Sequence, residues 1–560
     1  MQAAARYVVL AALAAVFAGT ARAQSALPLK HAPLATQTAI TPADLMTRLY
    51  LYADDSMMGR SAGTEYNLKA TAYIASEVKR FGLIPAGDSG GYFQNVPLVQ
   101  RALASASHLA LDSVPLRLWE DYLPRDQGGP THPIDNAQAV FAGAWGDSAM
   151  LAPDQAAGKF VVIAMSRHPN PGQPAWFVPR AGASARYKSA AAVAVVSFDS
   201  IPAPLRGFFK NSQVTMSGGP TPPEQPTYLY LTAAVARQIL GRSVDSATVG
   251  ATGKTVRGGL NFVETPAPAR NVVAILRGSD PTLRGEYVAI GAHNDHIGFD
   301  HSPVDHDSIR AFNAAERRLE LASPTHQVTP DQAAQIKVNA DSLHRLNPPR
   351  RDSIFNGADD DGSGTTAVLE IAEAFAGAKA KPKRSIIFVW HTGEELGLYG
   401  SQYFTDHPTV PRDSIVAQLN MDMVGRGRAE DENGGGPGYL QLIGTRRLST
   451  ELGDIIENVN KARKQPFTFD YQFDASGHPE QYYCRSDHYM YARYGIPIAF
   501  FTTGSHRDYH QVTDEPEYID YDKLAHVAQF VYDVATTVAN LDHRVVVDKP
   551  KPDPRGNCVQ

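Results

Sequence analysis

Five short segments of this chain carry acids and histidines of the kinds that bind metal ions or transfer protons. One of them places two adjacent carboxylates, Glu394 and Glu395, just after a predicted strand at residues 384–390. The other four segments supply histidines and further acids, and they are residues 291–296, 356–364, 420–422 and 508–510. Side chains of these types, in this order, are typical of a hydrolase that holds two metal ions around one water molecule.

The five segments contain enough ligands for two divalent ions. A pair of such ions about 3.5–4 Å apart needs one bridging carboxylate and two further ligands for each ion. We expect His293 and Asp422 to hold one ion. Glu395 and His510 would hold the other ion, and Asp360 would bridge the two.

The two adjacent glutamates are expected to have different roles. Neighbouring side chains on an extended segment diverge, so Glu394 stays free of the metal if Glu395 binds it. Glu394 can then act as the general base, which takes a proton from the attacking water and returns it to the leaving amine of a peptide. Asp295, two residues beyond His293, is placed to accept the other ring N–H of that histidine and to fix its tautomer.

Each segment taken alone has a simpler interpretation. An adjacent pair of glutamates is usually a solvated loop face, and a run of aspartates before Gly-Ser-Gly is usually a helix start, where the helix dipole favours acids. A single aspartate after a strand is often a helix cap. His488, which follows Asp487, competes with His510 as the last ligand. Five such segments gathered around predicted strand ends would, however, occur together by chance much less often than any one of them alone. Their combination therefore favours a metal site.

Length, composition and charge restrict the class of protein. The chain has 560 residues, 43% of them hydrophobic, which is too long for one ordinary core and indicates two or three domains. The net charge of −6 becomes −8 without residues 1–23, and a mildly acidic protein is a poor nucleic-acid binder. Two cysteines exclude a disulfide framework and a thiolate cluster. We expect Cys484 to be a small buried residue, with a disulfide to Cys558 as the less favoured alternative.

Residues 1–23 have the pattern of a secretory signal peptide. Arg6 precedes an apolar run at residues 8–19, and Ala-Arg-Ala at residues 21–23 is a small-x-small cleavage signal. The run is too short to span a membrane, and no later segment is apolar enough to do so. The sequence therefore predicts a periplasmic or secreted protein, cut after Ala23, without a membrane span.

Changes of pattern divide the remaining chain into regions. Residues 24–114 contain two predicted helices, one from Pro42 with Thr41 as its N-cap and one from about Tyr66. Residues 115–255 contain short buried strands and loops rich in proline and glycine, without a cluster of acids and histidines. We expect this region to be a separate, mostly β domain inserted into the chain.

Residues 256–545 alternate between strand and helix patterns. This alternation predicts an α/β fold with a mixed, mostly parallel sheet and helices on both faces, where the ligand site lies beyond the carboxyl ends of the strands. Within it, the long polar stretch at residues 300–353 predicts a helical insertion near the site. Residues 546–560 are rich in proline and charge, which is typical of a disordered tail.

At these motifs the chain resembles the zinc exopeptidases of peptidase family M28. His293 lies in Gly-Ala-His-Asn-Asp-His, and Asp360 is the middle acid of Ala-Asp-Asp-Asp-Gly-Ser-Gly. Asp422 ends Leu-Asn-Met-Asp, and His510 lies in Asp-Tyr-His-Gln-Val-Thr-Asp. The resemblance implies that these four residues are metal ligands and that Asp295 orients His293. It covers about residues 41–87 and 270–541.

The resemblance also implies the cofactor and the activity. It matches Glu394 to the general base and Glu395 to a metal ligand. It also matches His510, and not His488, to the last ligand, and it places His488 beside the substrate pocket. The implied enzyme is an aminopeptidase with two zinc ions (Zn²⁺) that acts on peptides. A carboxypeptidase or dipeptidase of the same family stays open, because these ligands do not say which peptide end is recognised. A glutaminyl-cyclase-like enzyme with one zinc and a non-catalytic peptide-binding relative are further alternatives.

Two regions lie outside the metal motifs of that family. Residues 115–255 are similar to a protease-associated (PA) domain, a module that is inserted at this point in larger members and carries no catalytic residues. The insertion at residues 300–353 lengthens the spacing from His293 to Asp360. The substrate preference of the family therefore cannot be transferred directly to this chain.

Overall fold

The computed structural model describes residues 27–166, 174, 177–218, 223–324, 326–345 and 348–560. The predicted signal peptide at residues 1–23 lies outside the described residues. Among the helices that are described, none combines the length and the apolar character needed to cross a bilayer.

The strands of the described chain fall into three sheets. In chain order they are β1 Ile84–Pro85, β2 Phe93–Leu103, β3 His108–Leu111, β4 Val114–Pro115, β5 Tyr122–Arg125, β6 Ile134–Ala144, β7 Phe160–Ala164, β8 Ala192–Val196, β9 Gln213–Met216, β10 Thr227–Leu231, β11 Thr252–Gly259, β12 Phe262–Leu276, β13 Tyr287–His293, β14 Gly298–Asp305, β15 Arg351–Phe355, β16 Ser385–His391, β17 Ile415–Met421, β18 Tyr439–Ile443, β19 Thr468–Asp470 and β20 Ile498–Thr502.

The helices of the described residues are distributed along the chain. They are α1 Pro42–Tyr52, α2 Glu65–Arg80, α3 Arg180–Arg186, α4 Ala203–Lys210, α5 Ala233–Leu240, α6 His306–Ala322, α7 Pro330–Ala334, α8 Ala340–His344, α9 Gly364–Gly377, α10 Tyr399–Asp406, α11 Thr450–Lys461, α12 His488–Ala492 and α13 Tyr521–Ala539. Thr41 caps α1 as predicted, because its hydroxyl accepts the backbone N–H of Asp44.

The largest sheet confirms the predicted mixed α/β fold. Its strand order is β19-β18-β20-β17-β13-β16-β12-β2-β9, with β1 paired to β12. The four central strands β20, β17, β13 and β16 are parallel to their neighbours in this group. The flanking strands β12, β2 and β18 pair antiparallel, so the parallel part is confined to the centre and to the β18–β19 pair.

Helices cover both faces of this sheet because alternate side chains of its strands point in opposite directions. In β16, Phe388 and Trp390 enter a core with α1, α2, α9, α11 and α13. Ile387 and Val389 enter a second core with α10 and α12. Both cores are apolar, so the central strands are buried on either side and hold their carboxyl ends in fixed positions.

A buried ion cluster fastens α1 to α9 on the first face. Arg48 of α1 forms ion pairs with Glu370 and Glu373 of α9 and with Glu77 of α2. The side chains of Arg48 and Glu370 are 1% and 0% exposed. Burial raises the pKa of Glu370 to about 8, although the neighbouring Arg48 lowers it.

Replacement of Arg48 by methionine is expected to lower the free energy of unfolding by about 3–5 kcal/mol, because it removes the ion-pair partner of the buried Glu370. Arg80 still pairs with Glu77 and Glu373. Urea unfolding followed by tryptophan fluorescence measures the loss. Lys30→Met is the control, since it removes an ion pair with Asp54 whose lysine side chain is 74% exposed. That control should cost less than ~1 kcal/mol. Equal losses in the two variants would contradict the assignment.

The region between β2 and β12 forms a sheet of its own. Its strand order is β4-β3-β11-β6-β7-β8-β10-β5, and two separate hydrophobic cores lie on its faces. One strand of this region, β9, instead pairs with β2 at the edge of the large sheet. The identification of the region as a PA domain stays a prediction.

The helical insertion stands on a two-stranded stem. β14 and β15 pair antiparallel at its base, and α6, α7 and α8 lie between them in the chain. The structure therefore contains the helices that the polar pattern of residues 300–353 predicts.

Residues 546–560, which the sequence predicts to be a disordered tail, are bound to the rest of the protein at their C-terminal end. Cys558 forms a disulfide with Cys484, so the favoured interpretation of Cys484 as an unpaired buried residue is wrong. The side chain of the last residue, Gln560, accepts the backbone N–H of Tyr483 at 3.0 Å and donates to the carbonyl of Phe473 at 3.1 Å. Residues 546–560 are therefore held by one covalent bond and by hydrogen bonds.

Candidate metal centre

The sequence-predicted site residues lie at one edge of the large sheet. His293 is the last residue of β13, and Glu394 and Glu395 follow β16. Asp422 directly follows β17, and His510 lies in the loop after β20. Because these four strands are parallel, their carboxyl ends meet at one edge, which is where ligands bind in such sheets.

Asp360 reaches the same edge from a tight turn before α9. The turn, Ala358–Ser363, is anchored by Asp514, whose carboxylate accepts the backbone N–H groups of Asp359 and Asp360 at 3.0 and 3.1 Å. The peptide bond from Asp360 to Asp361 is cis. Since Asp514 belongs to the His510 loop, these hydrogen bonds join the turn directly to that loop.

The carboxylate of Asp360 lies between the two predicted ligand groups. Its Oδ1 is 3.1 Å from Nε2 of His293, and its Oδ2 is 3.0 Å from Nε2 of His510. Asp422 lies on the first side, with Oδ1 3.7 Å from His293 Nε2. Glu395 lies on the second side, with Oε2 3.0 Å from His510 Nε2. The structure therefore brings all five predicted ligands together.

The two adjacent glutamates occupy opposite sides of this group. Oε2 of Glu394 is 4.0 Å from Nε2 of His293, whereas Glu395 contacts His510. The side chain of Glu394 is 11% exposed, so it reaches the cavity and keeps little contact with bulk water. This divergence agrees with the different roles expected of the two residues.

Asp295 supports the site in a different way from that predicted. Nδ1 of His293 donates to the backbone carbonyl of Asp295 at 3.1 Å, while the carboxylate oxygen Oδ1 is 3.8 Å from that nitrogen. The carboxylate is turned toward the backbone N–H of Glu394, which it accepts at 3.2 Å. The residue still fixes the tautomer of His293, but through its main chain, and its side chain positions Glu394.

His296 is a member of the group that the sequence reasoning missed. Its Nδ1 is 2.7 Å from Oε1 of Glu395 and 3.7 Å from Oδ2 of Asp360. Ligand atoms of His296, Asp360, Glu395 and His510 all lie within 4.8 Å of one another. The available signal was the second histidine of the motif at residues 291–296.

Two further polar residues hold the ligands in place. Asp361 accepts the backbone N–H groups of His293 at 3.0 Å and of Gly364 at 2.8 Å, which occupies its oxygens and makes it a structural residue. Ser486 donates its hydroxyl to Oδ2 of Asp422 at 2.7 Å and so directs the other carboxylate oxygen toward His293. His488, the competitor of His510, is buried and stacks on Phe500 at 4.6 Å instead.

Burial and neighbouring charges shift the pKa values of the central groups. Burial raises the pKa of Glu394 well above its usual range, and the Asp422 and Glu395 carboxylates raise it further. Burial alone would raise the pKa of Asp360 too, but its contacts with His293 and His510 hold that pKa well below its usual range. Burial would lower the pKa of His510, but the carboxylates of Asp360 and Glu395 raise it to about 10.

The donor set fits divalent cations. Nε2 of His293 faces the carboxylates of Asp360 and Asp422 at 3.1 and 3.7 Å, and side chains grouped in this way can bind one cation together. Among the described residues, neither lysine nor arginine forms an ion pair with Asp360, Glu394, Glu395 or Asp422. Clustered buried carboxylates need such compensation, and imidazole and carboxylate are ligands that zinc prefers.

Comparison with known proteins identifies this region. Residues 271–535 match the sequence model of peptidase family M28. This region of the chain belongs to that family. The M28 region includes every residue of the metal centre described above, from His293 to His510.

Curated relatives of the M28 region are about 30% identical to it over part of their length. Leucine aminopeptidase 1 of Paracoccidioides brasiliensis is 31% identical over 193 residues, which are 32% of this chain and 47% of that protein. Leupeptin-inactivating enzyme 1 of Streptomyces exfoliatus is 30% identical over 157 residues, which are 28% of this chain and 31% of that protein. The chain thus spans less than half the length of either curated relative.

A solved structure, that of an aminopeptidase from an Aneurinibacillus species, matches with a TM-score of 0.48 and 16% sequence identity. The match covers 91% of this chain and 97% of that one.

A cavity of about 1220 Å³ opens onto the metal centre of the M28 region. Asp360, Glu394 and Asp422 lie at its base, and Ile309 and Phe312 of α6 form part of its wall. The helical insertion is thus part of the same cavity as the site. It is fixed there by an ion pair of Arg310 with Asp508 and by Asn313, which donates to Asp508 at 3.0 Å.

Proposed function

We propose that this protein is a metallo-aminopeptidase that hydrolyses N-terminal peptide bonds with two zinc ions. One observation carries the proposal: the two oxygens of the Asp360 carboxylate lie 3.1 and 3.0 Å from Nε2 of two different histidines, His293 on one side and His510 on the other. A buried carboxylate in that position suits a bridge between two cations. Membership of the M28 region in a peptidase family supports the hydrolytic activity.

We assign the ligands of the two ions from the geometry. His293 and Asp422 would hold one ion, and Glu395 and His510 would hold the other, with Asp360 between them. His296 lies within reach of the second ion. When bound, the two ions would lower the pKa of a water molecule and polarise the carbonyl of the scissile bond.

Glu394 supplies the proton transfer in this proposal. Its carboxylate faces the cavity beside His293, and its backbone N–H is fixed by Asp295 at 3.2 Å. Because burial raises its pKa, this side chain can hold a proton taken from water and give it to the leaving amine. The hydrogen bond to Asp295 holds the backbone of Glu394, which helps to keep its side chain directed into the cavity.

The wall of the cavity suits peptides that begin with an apolar residue. Five apolar residues line the cavity, and they are Ile309, Phe312 and Ile336 of the insertion together with Met423 and Phe500. Apolar side chains that enter it would be removed from water, which contributes about 25 cal/mol per Å² of apolar surface buried. We therefore expect leucine, methionine or phenylalanine to be preferred at the first position of the substrate.

Hydrolysis of a peptide panel tests the activity. Free peptides with apolar first residues should be cleaved from the N-terminus, and the same peptides with acetylated N-termini should not. Dialysis against a chelator should abolish cleavage, and an excess of zinc should restore it, because binding of the ions supplies the catalytic charge. Activity that survives removal of all metal would refute the proposal.

A second candidate is a carboxypeptidase or dipeptidase, and one residue favours it. The guanidinium of Arg485 lines the cavity, and its side chain is 47% exposed, so it could bind the carboxylate at a peptide C-terminus. Peptides with an amidated C-terminus decide between the candidates. An aminopeptidase cleaves them, whereas an enzyme that depends on this arginine does not.

We also propose the surroundings in which the enzyme works. The signal-peptide pattern of residues 1–23 and the Cys484–Cys558 disulfide both suit a periplasmic or secreted protein, because disulfides persist in oxidising compartments. The eight-stranded sheet region would then be a PA domain that shapes access of peptides to the cavity. N-terminal sequencing of protein from the cell envelope or medium should begin at Gln24.

A further inference from the structure

A second group of possible metal ligands lies at the base of the helical insertion. It consists of His306, Asp352 and Glu515, and one ligand atom of each lies within 4.8 Å of the others. None of the three is among the proposed ligands of the catalytic ions. We propose that this group binds one additional divalent transition-metal ion, such as zinc, which joins the insertion to the loop that carries His510.

The imidazole of His306 is arranged as a metal ligand. The residue is 0% exposed, and its Nδ1 lies 3.2 Å from Oδ1 of Asp307, to which it donates. This hydrogen bond leaves Nε2 as the unprotonated nitrogen, and Nε2 is buried without a hydrogen-bond partner. A carboxylate behind one ring nitrogen and a free lone pair on the other is the usual setting of a metal-bound histidine. A buried nitrogen without a partner is otherwise costly.

The two carboxylates each keep an oxygen available. Glu515 is 6% exposed, and its contacts with Asn356 at 3.1 Å and with Arg350 at 3.4 Å both use Oε1. Asp352 is half-buried, and its Oδ1 accepts the backbone N–H of Ile354 at 3.1 Å. The second oxygen of each carboxylate has no hydrogen bond among the described residues. One imidazole and two carboxylates form a ligand set that zinc accepts, with a water in the fourth position.

The charge around the group favours a cation. Arg350 is the nearby base, but it also pairs with Glu517 at 2.6 Å. Glu515 and Glu517 thus share this arginine, and Asp352 forms no ion pair with a lysine or arginine among the described residues. A divalent ion would add positive charge beside these carboxyl groups and would bring ligand atoms that are now up to 4.8 Å apart to the separation of about 3–4 Å that bonds of 2.0–2.2 Å require.

The positions of the three residues indicate what the ion would do. His306 is the first residue of α6, and Asp352 belongs to β15, so they lie at the two ends of the insertion. Glu515 follows the anchoring Asp514 and belongs to the loop that carries His510. An ion held by all three would fasten the insertion, and with it the apolar cavity wall, to the catalytic loop.

Metal content measured on the full-length protein tests the proposal. The protein is stripped with a chelator, reloaded with zinc, desalted and analysed by mass spectrometry of the metal. Wild type should hold three zinc ions per chain, whereas His306→Ala and Asp352→Asn should each hold two. His344→Ala, which changes another histidine of the insertion, is the matched control and should still hold three. Asp360→Asn, which removes the bridge of the catalytic pair, should retain one.

The outcomes separate this proposal from the proposed function. Two ions in wild type, with the same number in His306→Ala and Asp352→Asn, would overturn the third site and leave the catalytic pair intact. If the reloaded wild-type protein does not bind the two zinc ions assigned to the catalytic site, the aminopeptidase assignment is refuted instead. If His306→Ala does not fold, zinc should still raise the melting temperature of Asp360→Asn and fail to do so when Asp352→Asn is added. An equal rise in both proteins would overturn the third site.

Discussion

Replacement of Glu394 by glutamine is expected to lower turnover at least ~100-fold while both catalytic metal ions stay bound. Glutamine has nearly the same shape, and it keeps the backbone N–H that Asp295 accepts at 3.2 Å. It cannot, however, take a proton at the position where the carboxylate faces the cavity. The variant should therefore lose the proton transfer and preserve the structure of the metal centre.

Two measurements on the same preparation test this expectation. Turnover is measured with a free leucine peptide at saturating zinc, and the metal content is determined by mass spectrometry. Glu395→Gln is the paired variant, because the neighbouring residue contacts His510 at 3.0 Å and should lose metal when changed. If Glu394→Gln keeps full turnover, Glu394 is not the base. If both variants lose metal equally, the division of roles between the two glutamates is wrong.

The fold around the site could be predicted because its signals are local. The strands that end at His293 or shortly before Glu394 and Asp422 are short apolar runs that are buried on both faces. Such runs are easily distinguished from the polar segments around them. Strand ends then predict where the acids meet, because parallel strands bring their carboxyl ends to one edge. The position of that edge does not depend on how the individual side chains are oriented.

Side-chain orientation accounts for the parts that were missed. Asp295 was predicted to contact His293 through its carboxylate, yet its backbone carbonyl makes that contact because the carboxylate turns to Glu394. His296 was overlooked because sequence spacing does not show which histidine of a motif faces the site. The Cys484–Cys558 disulfide joins residues separated by 74 positions, and that distance in sequence gives no indication that they meet.

The insertion shows a further limit of local signals. Its helices could be predicted from residue spacing, but its role depends on contacts with distant loops. Arg507, three residues before His510, pairs with Glu316 and Glu320 of α6 at 3.3 and 2.7 Å. These pairs hold the insertion against the loop that carries His510, so changes in the insertion can alter the cavity without changing a proposed ligand.

Replacement of Asp360 by asparagine is expected to have the second large effect, a loss of both catalytic ions and of at least ~1000-fold in turnover. Both oxygens of Asp360 face histidines, at 3.1 and 3.0 Å, and an amide offers one weak oxygen ligand in place of two charged ones. The N–H groups that Asp514 accepts belong to the backbone, so the turn should keep its shape. The defect should therefore lie in metal binding.

Metal content, turnover and circular dichroism of Asp360→Asn are measured beside those of Asp522→Asn, an exposed acid of α13 with the same change of charge. The control should retain the metal and the activity of wild type, and both variants should keep the wild-type spectrum. If Asp360→Asn retains the full metal content, each ion must be held by its own side chains alone, and Asp360 is not the bridge. If it retains half of the catalytic ions, Asp360 serves one ion, because loss of a true bridge weakens both sides at once.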